Sequence, residues 1–232
     1  MSFKQGDVLT HTEMCHEAGG MLQRGMYFRY KRAFSIFLMS LRHGAPYSDR
    51  LENDGRVLVY EGHDQPRTSK SPNPKMLDQP LATGTGRPTQ NGLFFKAAKD
   101  TALGLKQPEL VKVYEKIKNG IWVFNGVFRL VDAWTESVPK RKVFKFKLEL
   151  TDEGNGEVTV SDQEFPHSRM IPSAVKQEVW KRDRGQCILC GSKTNLHFDH
   201  DLPFSLGGSS ILSKNIRLLC AGHNLAKGAK IQ

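Results

Sequence analysis

Between Phe3 and about residue 150 the apolar residues fall in short bursts that favour strands, at residues 34–38, 57–60, 110–114, 121–124, 127–131 and 143–150. From Lys142 onward the alternation puts Phe144, Phe146 and Leu148 on one face, expected to line a core, with the lysines on a solvated face. Lys118-Asn119-Gly120 and Asn125-Gly126 read as tight turns. Residues 91–101 read as a short helix, and 66–88 as a long Pro/Gly/Thr/Ser-rich loop of the kind that is functional or mobile. The composition turns polar and glycine-rich at Thr151 and becomes periodic again only at Ser173, which places a linker at 151–170. Ser173 is positioned to cap a helix running to Arg182 with Val175, Val179 and Trp180 facing inward. The pattern therefore predicts a strand-rich domain over 1–150 and a smaller one over 171–232, an α+β chain.

A length of 232 residues suits two modest domains, and 38% hydrophobic residues supply a real core, which excludes wholesale disorder. The net charge of +10 attracts polyanions, with nucleic acid the commonest soluble partner and an anionic membrane surface the rival. From Arg169 to the end, ten Lys or Arg stand against four acids, so more than half of the excess lies in the C-terminal part. The opening Met-Ser-Phe-Lys-Gln-Gly lacks the charged-then-apolar pattern of a signal peptide, and there is no apolar run of membrane-spanning length. A cytoplasmic protein with no membrane partner is expected. Cys15 stands apart while Cys187, Cys190 and Cys220 cluster, a poor disulfide framework and a good metal site.

Cys187-x-x-Cys190 and Cys220-x-x-His223 are two chelating pairs about thirty residues apart, a spacing that suits a tetrahedral Cys3His zinc centre. Four such ligands leave no position for water, so this Zn²⁺ is expected to be structural. Between the pairs lie Asp199-His200, Pro203, Gly207-Gly208 and Asn215, and after them Asn224 and Lys227. In that order the segment from about Ile171 to Lys230 resembles the HNH endonuclease family of ββα-metal fold. The resemblance implies that His200 is the general base, that Asp199 and Asn224 hold a catalytic divalent ion, and that Asn215 holds the loop and the histidine's orientation. The residue types agree with those roles. A neutral imidazole can take a proton from water, and a carboxylate with an amide oxygen forms a hard donor pair suited to Mg²⁺ or Mn²⁺. His223, by its place in the second pair, is assigned to zinc. Arg217 and Lys227 are candidates for contact with the DNA backbone or for a solvated role.

The N-terminal segments Ser35 to Ser40, Tyr47-Ser-Asp49, Val59 to Asp64, Asp78-Gln-Pro-Leu, Thr89-Gln-Asn91, Val111 to Tyr114 and Trp122 to Phe128 together resemble the SRA (YDG) domain. That family has a PUA-like β-barrel with flanking helices and flips modified cytosine out of DNA into a pocket. The family's Tyr-Asp-Gly stands here as Phe124-Asn125-Gly126, and its Tyr-Thr-Gly as Tyr60-Glu61-Gly62. By position, the resemblance implies that Tyr47 and Tyr60 stack on the flipped base, that Asp49 accepts from the exocyclic amine, that Glu61 stands beside them, and that Asn91 meets the backbone. Aromatic faces replace lost stacking, and a carboxylate selects a donor edge. Glu61, His63 and Asp64 also form a polar cluster that lacks a second chelating group.

The combined expectation is a modification-dependent endonuclease acting on double-stranded DNA that carries 5-methyl- or 5-hydroxymethylcytosine, as a homodimer, since one HNH site handles one strand at a time. Two alternatives stay open: an HNH nuclease reading unmodified sequence, and a non-catalytic reader in which the zinc module only braces the fold.

Overall fold

The computed structural model describes residues 3–31, 33–69, 73–151 and 170–227; apart from its two end residues, the expected linker at 151–170 lies outside them. In chain order the strands are β1 (Asp7–Thr10), β2 (Met26–Tyr30), β3 (Phe34–Met39), β4 (Arg50–Glu52), β5 (Val57–Glu61), β6 (Glu109–Lys118), β7 (Ile121–Val138), β8 (Arg141–Leu150), β9 (Leu196–His200) and β10 (Ile216–Cys220). The helices are α1 (His11–Glu17), α2 (Gln90–Ala102), α3 (Ser173–Arg182) and α4 (Ala221–Lys227). No helix among the described residues is long and apolar enough to cross a membrane.

All ten strands belong to one mixed sheet, ordered β10-β9-β1-β7-β6-β3-β2, with β8, β5 and β4 branching from β7. Only the β3/β6 pair is parallel. The branch arises because β7 is 18 residues long: its first residues pair with β1, and the part from Phe128 onward pairs with β8. The sheet curls around an aromatic core of Phe37, Tyr60, Phe94, Phe128 and Phe146, closed on one side by α2. Among the described residues no ladder joins β2 to β4, so the expected barrel is an open, branched sheet. Strands β5 and β3 also meet through the Tyr60 hydroxyl, 3.4 Å from the Leu38 carbonyl.

Three local expectations are corrected. Asn125-Gly126 is no turn but a β-bulge inside β7: Val113 opposes Gly126 and Tyr114 opposes Phe124, so Asn125 is the extra residue and Gly126 takes φ +113°. The extra residue's side chain points inward, which suits a short amide better than a bulky apolar group. Ser173 does not cap α3; Pro172 takes that position and the serine hydroxyl makes no capping bond. The lysine face of β8 is not wholly solvated, because Lys145 is buried between Glu61 of β5, at 2.9 Å, and the Ser48 carbonyl, at 3.2 Å.

The C-terminal segment is continuous with the rest of the sheet. β9 adds to β1 with Asp7 opposite His197 and Val8 opposite Leu196, and the His197 ring lies 2.6 Å from the Asp7 carboxylate. Val8, Ile117 and Val123 share one core with Ile171, Val175, Val179, Phe198, Ile216 and Leu218. A buried polar bridge crosses the same junction. Lys176 of α3 donates to Glu115 of β6 (2.9 Å) and to Asn125 Oδ1 (2.7 Å), and Asn125 donates in turn to Glu115 (3.1 Å). All three residues are at most 2% exposed, deep enough that each charge depends on the others.

Candidate nucleic-acid interface and metal centre

A cavity of about 670 Å³ opens between the β3–β4 loop, the end of β5 and the start of β7. Tyr47, Asp49, His63, Ser40 and Met39 form its walls, and His11, Arg24, Arg42 and Lys116 also line it. It is large enough for a nucleobase and carries the positive charge a phosphate backbone attracts. Asp49 accepts from the backbone N–H of Glu61 at 3.0 Å and of Ser40 at 3.3 Å. Burial nonetheless dominates and pushes its carboxyl up to about 7, against the help of those two donors.

This shift has a stability consequence with a definite sign. The folded state holds the Asp49 proton up to about pH 7, whereas an unfolded aspartate releases it near 3.8. Folding therefore gains from this group fully below the unfolded value and loses that gain as pH rises through about 7. Urea unfolding is expected to show a decline in stability between pH 4 and 7 that flattens in Asp49→Asn; an equal decline in both proteins would exclude Asp49 as its source.

Tyr47 and Asp49 meet in this cavity, whereas Tyr60 and Glu61 do not line it. Tyr60 is 1% exposed and stacks on Phe37 at 4.2 Å, while its hydroxyl bonds the Gly25 carbonyl and His63 Nε2, each at 3.0 Å. Glu61, at the end of β5, turns the other way, to Lys145 at 2.9 Å and Arg141 at 3.3 Å, and accepts from Ser48 N–H. It anchors the loop that carries Tyr47. Nor does Glu61 make a metal cluster with Asp64, which pairs with Arg141 and, at 3.0 Å, with Lys75. Asn91 is also corrected as a backbone contact: it is 2% exposed and its amide clamps the His63 backbone, accepting from N–H and donating to C=O, both at 2.8 Å.

At the far side of the sheet, β9, β10 and α4 form a ββα unit. Its hairpin pairs Asp199 with Arg217 and His200 with Ile216. Strand alternation buries His200 with Leu196 and Phe198 and turns Asp199 the other way. His200 Nε2 lies 2.9 Å from Ser210 Oγ. Asn215 ties the intervening loop together: its Oδ1 accepts from Leu202 N–H at 2.8 Å, and its Nδ2 donates to the carbonyls of Leu202 (3.2 Å) and Ser209 (3.0 Å). Lys227 is 1% exposed, and its ammonium contacts both the Asp199 carboxylate and the His200 carbonyl, so it is not presented to solvent or to a phosphate. Arg217 lies 2.6 Å from the Asp201 carboxylate. Asn224 sits on the face of α4 one turn before Lys227. One carboxylate and one amide oxygen are of the hard type a divalent ion prefers, and here the Lys227 charge already serves the carboxylate.

The two chelating pairs come together at the end of the hairpin. Cys187 Sγ to His223 Nδ1 is 3.4 Å, Cys220 Sγ to His223 Nδ1 is 3.3 Å and Cys190 Sγ to Cys220 Sγ is 3.8 Å, with all four ligand atoms within 4.8 Å of one another. Bonds of about 2.3 Å to sulfur and 2.0 Å to nitrogen put tetrahedral edges near 3.5–3.8 Å, so this donor set fits zinc. Burial raises the Cys187 thiol, but the amides of Cys220, Cys190 and Leu189 outweigh it and bring the thiol down to about 6. Cys190 gains from the Ser192 amide, yet its neighbours Cys187 and Cys220 push it up.

Sequence reasoning missed two residues here. Lys176 reads as a surface lysine, yet it falls between Val175 and Val179 on the inward stripe of α3, the signal that was available. His63 reads as part of a polar cluster; that its ring meets Tyr47 depends on loop packing with no signature in the pattern.

No family model and no curated protein matches this sequence. Among solved structures, the chain is similar to the SUVH5 SRA domain in complex with hemimethylated CG DNA, at 21% identity and a TM-score of 0.46 over 68% of this chain and 96% of that one. A SUVH5 SRA complex with fully methylated CG DNA gives 23% identity and a TM-score of 0.45 over 66% and 92%. KRYPTONITE in complex with mCHG DNA and SAH is matched over 68% of this chain and 34% of that one, at 14% identity and a TM-score of 0.41.

Proposed function

We propose that this chain is a modification-dependent DNA endonuclease that reads modified cytosine in the Tyr47/Asp49 cavity and cuts nearby with the ββα unit. The observation that carries the reading is the sharing of one sheet by a base-sized, basic-rimmed cavity and an Asp-His-Asn set braced by a Cys3His cluster. Asp49, held in the cavity wall by the Glu61 and Ser40 amides, is the group that would meet the hydrogen-bonding edge of cytosine. Tyr47 offers a face that offsets part of the few kcal/mol of lost duplex stacking. Zinc on Cys187, Cys190, Cys220 and His223 is closed to substrate and braces the unit. His200, with its ring set by Ser210, accepts the proton of the attacking water. When bound by Asp199 and Asn224, Mg²⁺ or Mn²⁺ supplies Lewis-acid polarisation of the phosphate. Two copies serve the two strands. The ion pair between Lys227 and Asp199 favours a second reading, a modified-DNA reader without catalysis.

Digestion of one plasmid prepared with and without modified cytosine, in Mg²⁺ and in Mn²⁺, separates these readings. Cutting confined to modified DNA is expected, with a rate loss of about 100-fold or more in His200→Ala and in Asp199→Ala while DNA binding persists. Equal cutting of both plasmids discards modification dependence, and an inert parent protein leaves the reader.

A further inference from the structure

We infer that His63 is the second plane of the base-reading cavity, so that a flipped cytosine is held between Tyr47 and His63. This rests on the cavity being a reader of modified cytosine, as proposed above. The His63 and Tyr47 rings lie face to face, with centroids 5.0 Å apart and planes 10° from parallel, and both line the cavity. The residue placed opposite Tyr47 by sequence position, Tyr60, has one face against Phe37 and is too buried to offer the other.

His63 is built as a wall. Its backbone is bonded at N–H and C=O by the buried Asn91 amide, and its Nε2 meets the Tyr60 hydroxyl at 3.0 Å. Gly25 and Gly62 make room for that arrangement: a Cβ on Gly25 would come within 2.5 Å of His63 Nε2 and 2.6 Å of Tyr60 Oη, and one on Gly62 within 2.8 Å of Asn91 Oδ1. Burial also holds the imidazole down to about 4, despite the raising effect of Asp64, so at neutral pH it is an uncharged aromatic plane. Tyr47 is the softer partner. It sits in the loop between β3 and β4, with the Lys75 ammonium 4.1 Å from its ring centroid, on a side chain that is 43% exposed. Admitting a base between the rings requires a separation of about 7 Å, two contact layers of about 3.5 Å. Tyr47 yields that space by sliding against a flexible lysine, while His63 keeps its place.

The test measures binding of the full chain to a duplex with one 5-hydroxymethylcytosine and to the same duplex unmodified, with 2-aminopurine beside the target to report base extrusion. The parent is expected to prefer the modified duplex by about tenfold or more. His63→Ala should lose most of that ratio and the 2-aminopurine signal that reports extrusion. His63→Phe, which restores the plane, should recover the ratio, and His63→Leu, which restores only bulk, should not. A ratio in His63→Ala within twofold of the parent overturns the inference; if that variant does not fold, a Leu variant equal to the Phe variant overturns it. A parent that binds both duplexes equally removes the modified-cytosine reading, and the His63 wall with it, whereas a selective parent with an indifferent His63 removes the wall alone.

Discussion

Removing the metal from the Cys187, Cys190, Cys220 and His223 cluster is expected to unfold the hairpin and α4 while leaving most of the sheet intact. Around the ligands themselves little else is buried, although the strands of the hairpin share the core with Val8 and Val123. Cys190 is exposed, as are the neighbouring Ile188 and Leu189, and α4 is only seven residues long with one buried side chain, Lys227. A structural zinc site of this type contributes on the order of 10–16 kcal/mol of binding free energy, which becomes folding free energy when no site exists in the open chain. The aromatic core under α2 shares no residue with the cluster and should survive. Hydrogen exchange before and after dialysis against a zinc chelator reads this directly. Protection should disappear across 187–227 and persist across 109–150, with one zinc per chain released. Retained protection in the metal-free protein would mean that the core shared with Val8 and Val123 suffices and that the cluster is dispensable.

What the pattern of residues disclosed depended on how local the cause was. The strands at 34–39 and 57–61 follow from short apolar runs and that at 141–150 from alternation, and the helix from Gln90 from the stripe of Phe94 and Ala98 and from Thr89, whose hydroxyl caps Gly92 N–H. The chelating pairs were legible for the same reason, because ligand spacing within each pair is a property of a few consecutive residues. Long-range partners were not legible. Lys145, Lys176 and Lys227 each carry the signature of a solvated charge, and each is buried because a carboxylate from another element meets it: Glu61, Glu115 and Asp199. Asn125-Gly126 has the composition of a turn, and only the opposing β6 strand makes it a bulge. The same limit applies to the cavity lined by Tyr47 and Asp49, where the ring facing Tyr47 belongs to His63, whose backbone is held by Asn91, 28 residues after it.

Replacing Lys176 by Met is expected to cost about 3–5 kcal/mol, the penalty of leaving a buried carboxylate without its cation. Glu115 is fully buried, and one of its oxygens already lacks a partner among the described residues, so after the substitution only the Asn125 amide would face its charge. Adding Glu115→Leu removes the orphaned charge, and the double variant is expected to regain most of the loss, because an apolar replacement of both partners avoids desolvating either. Urea unfolding of the four proteins of this cycle measures the coupling. A single variant within about 1 kcal/mol of the parent would place the pair among weakly coupled charges, as for exposed ion pairs. A large coupling would instead mean that α3, and with it the ββα unit, is held to the sheet by a contact whose strength depends on Asn125, the bulged residue of β7. The position of the Asp199-His200 pair relative to the Tyr47/Asp49 cavity is then set by this polar bridge as well as by the β1/β9 ladder, and under the endonuclease reading proposed above, loosening the bridge should widen the range of cut distances.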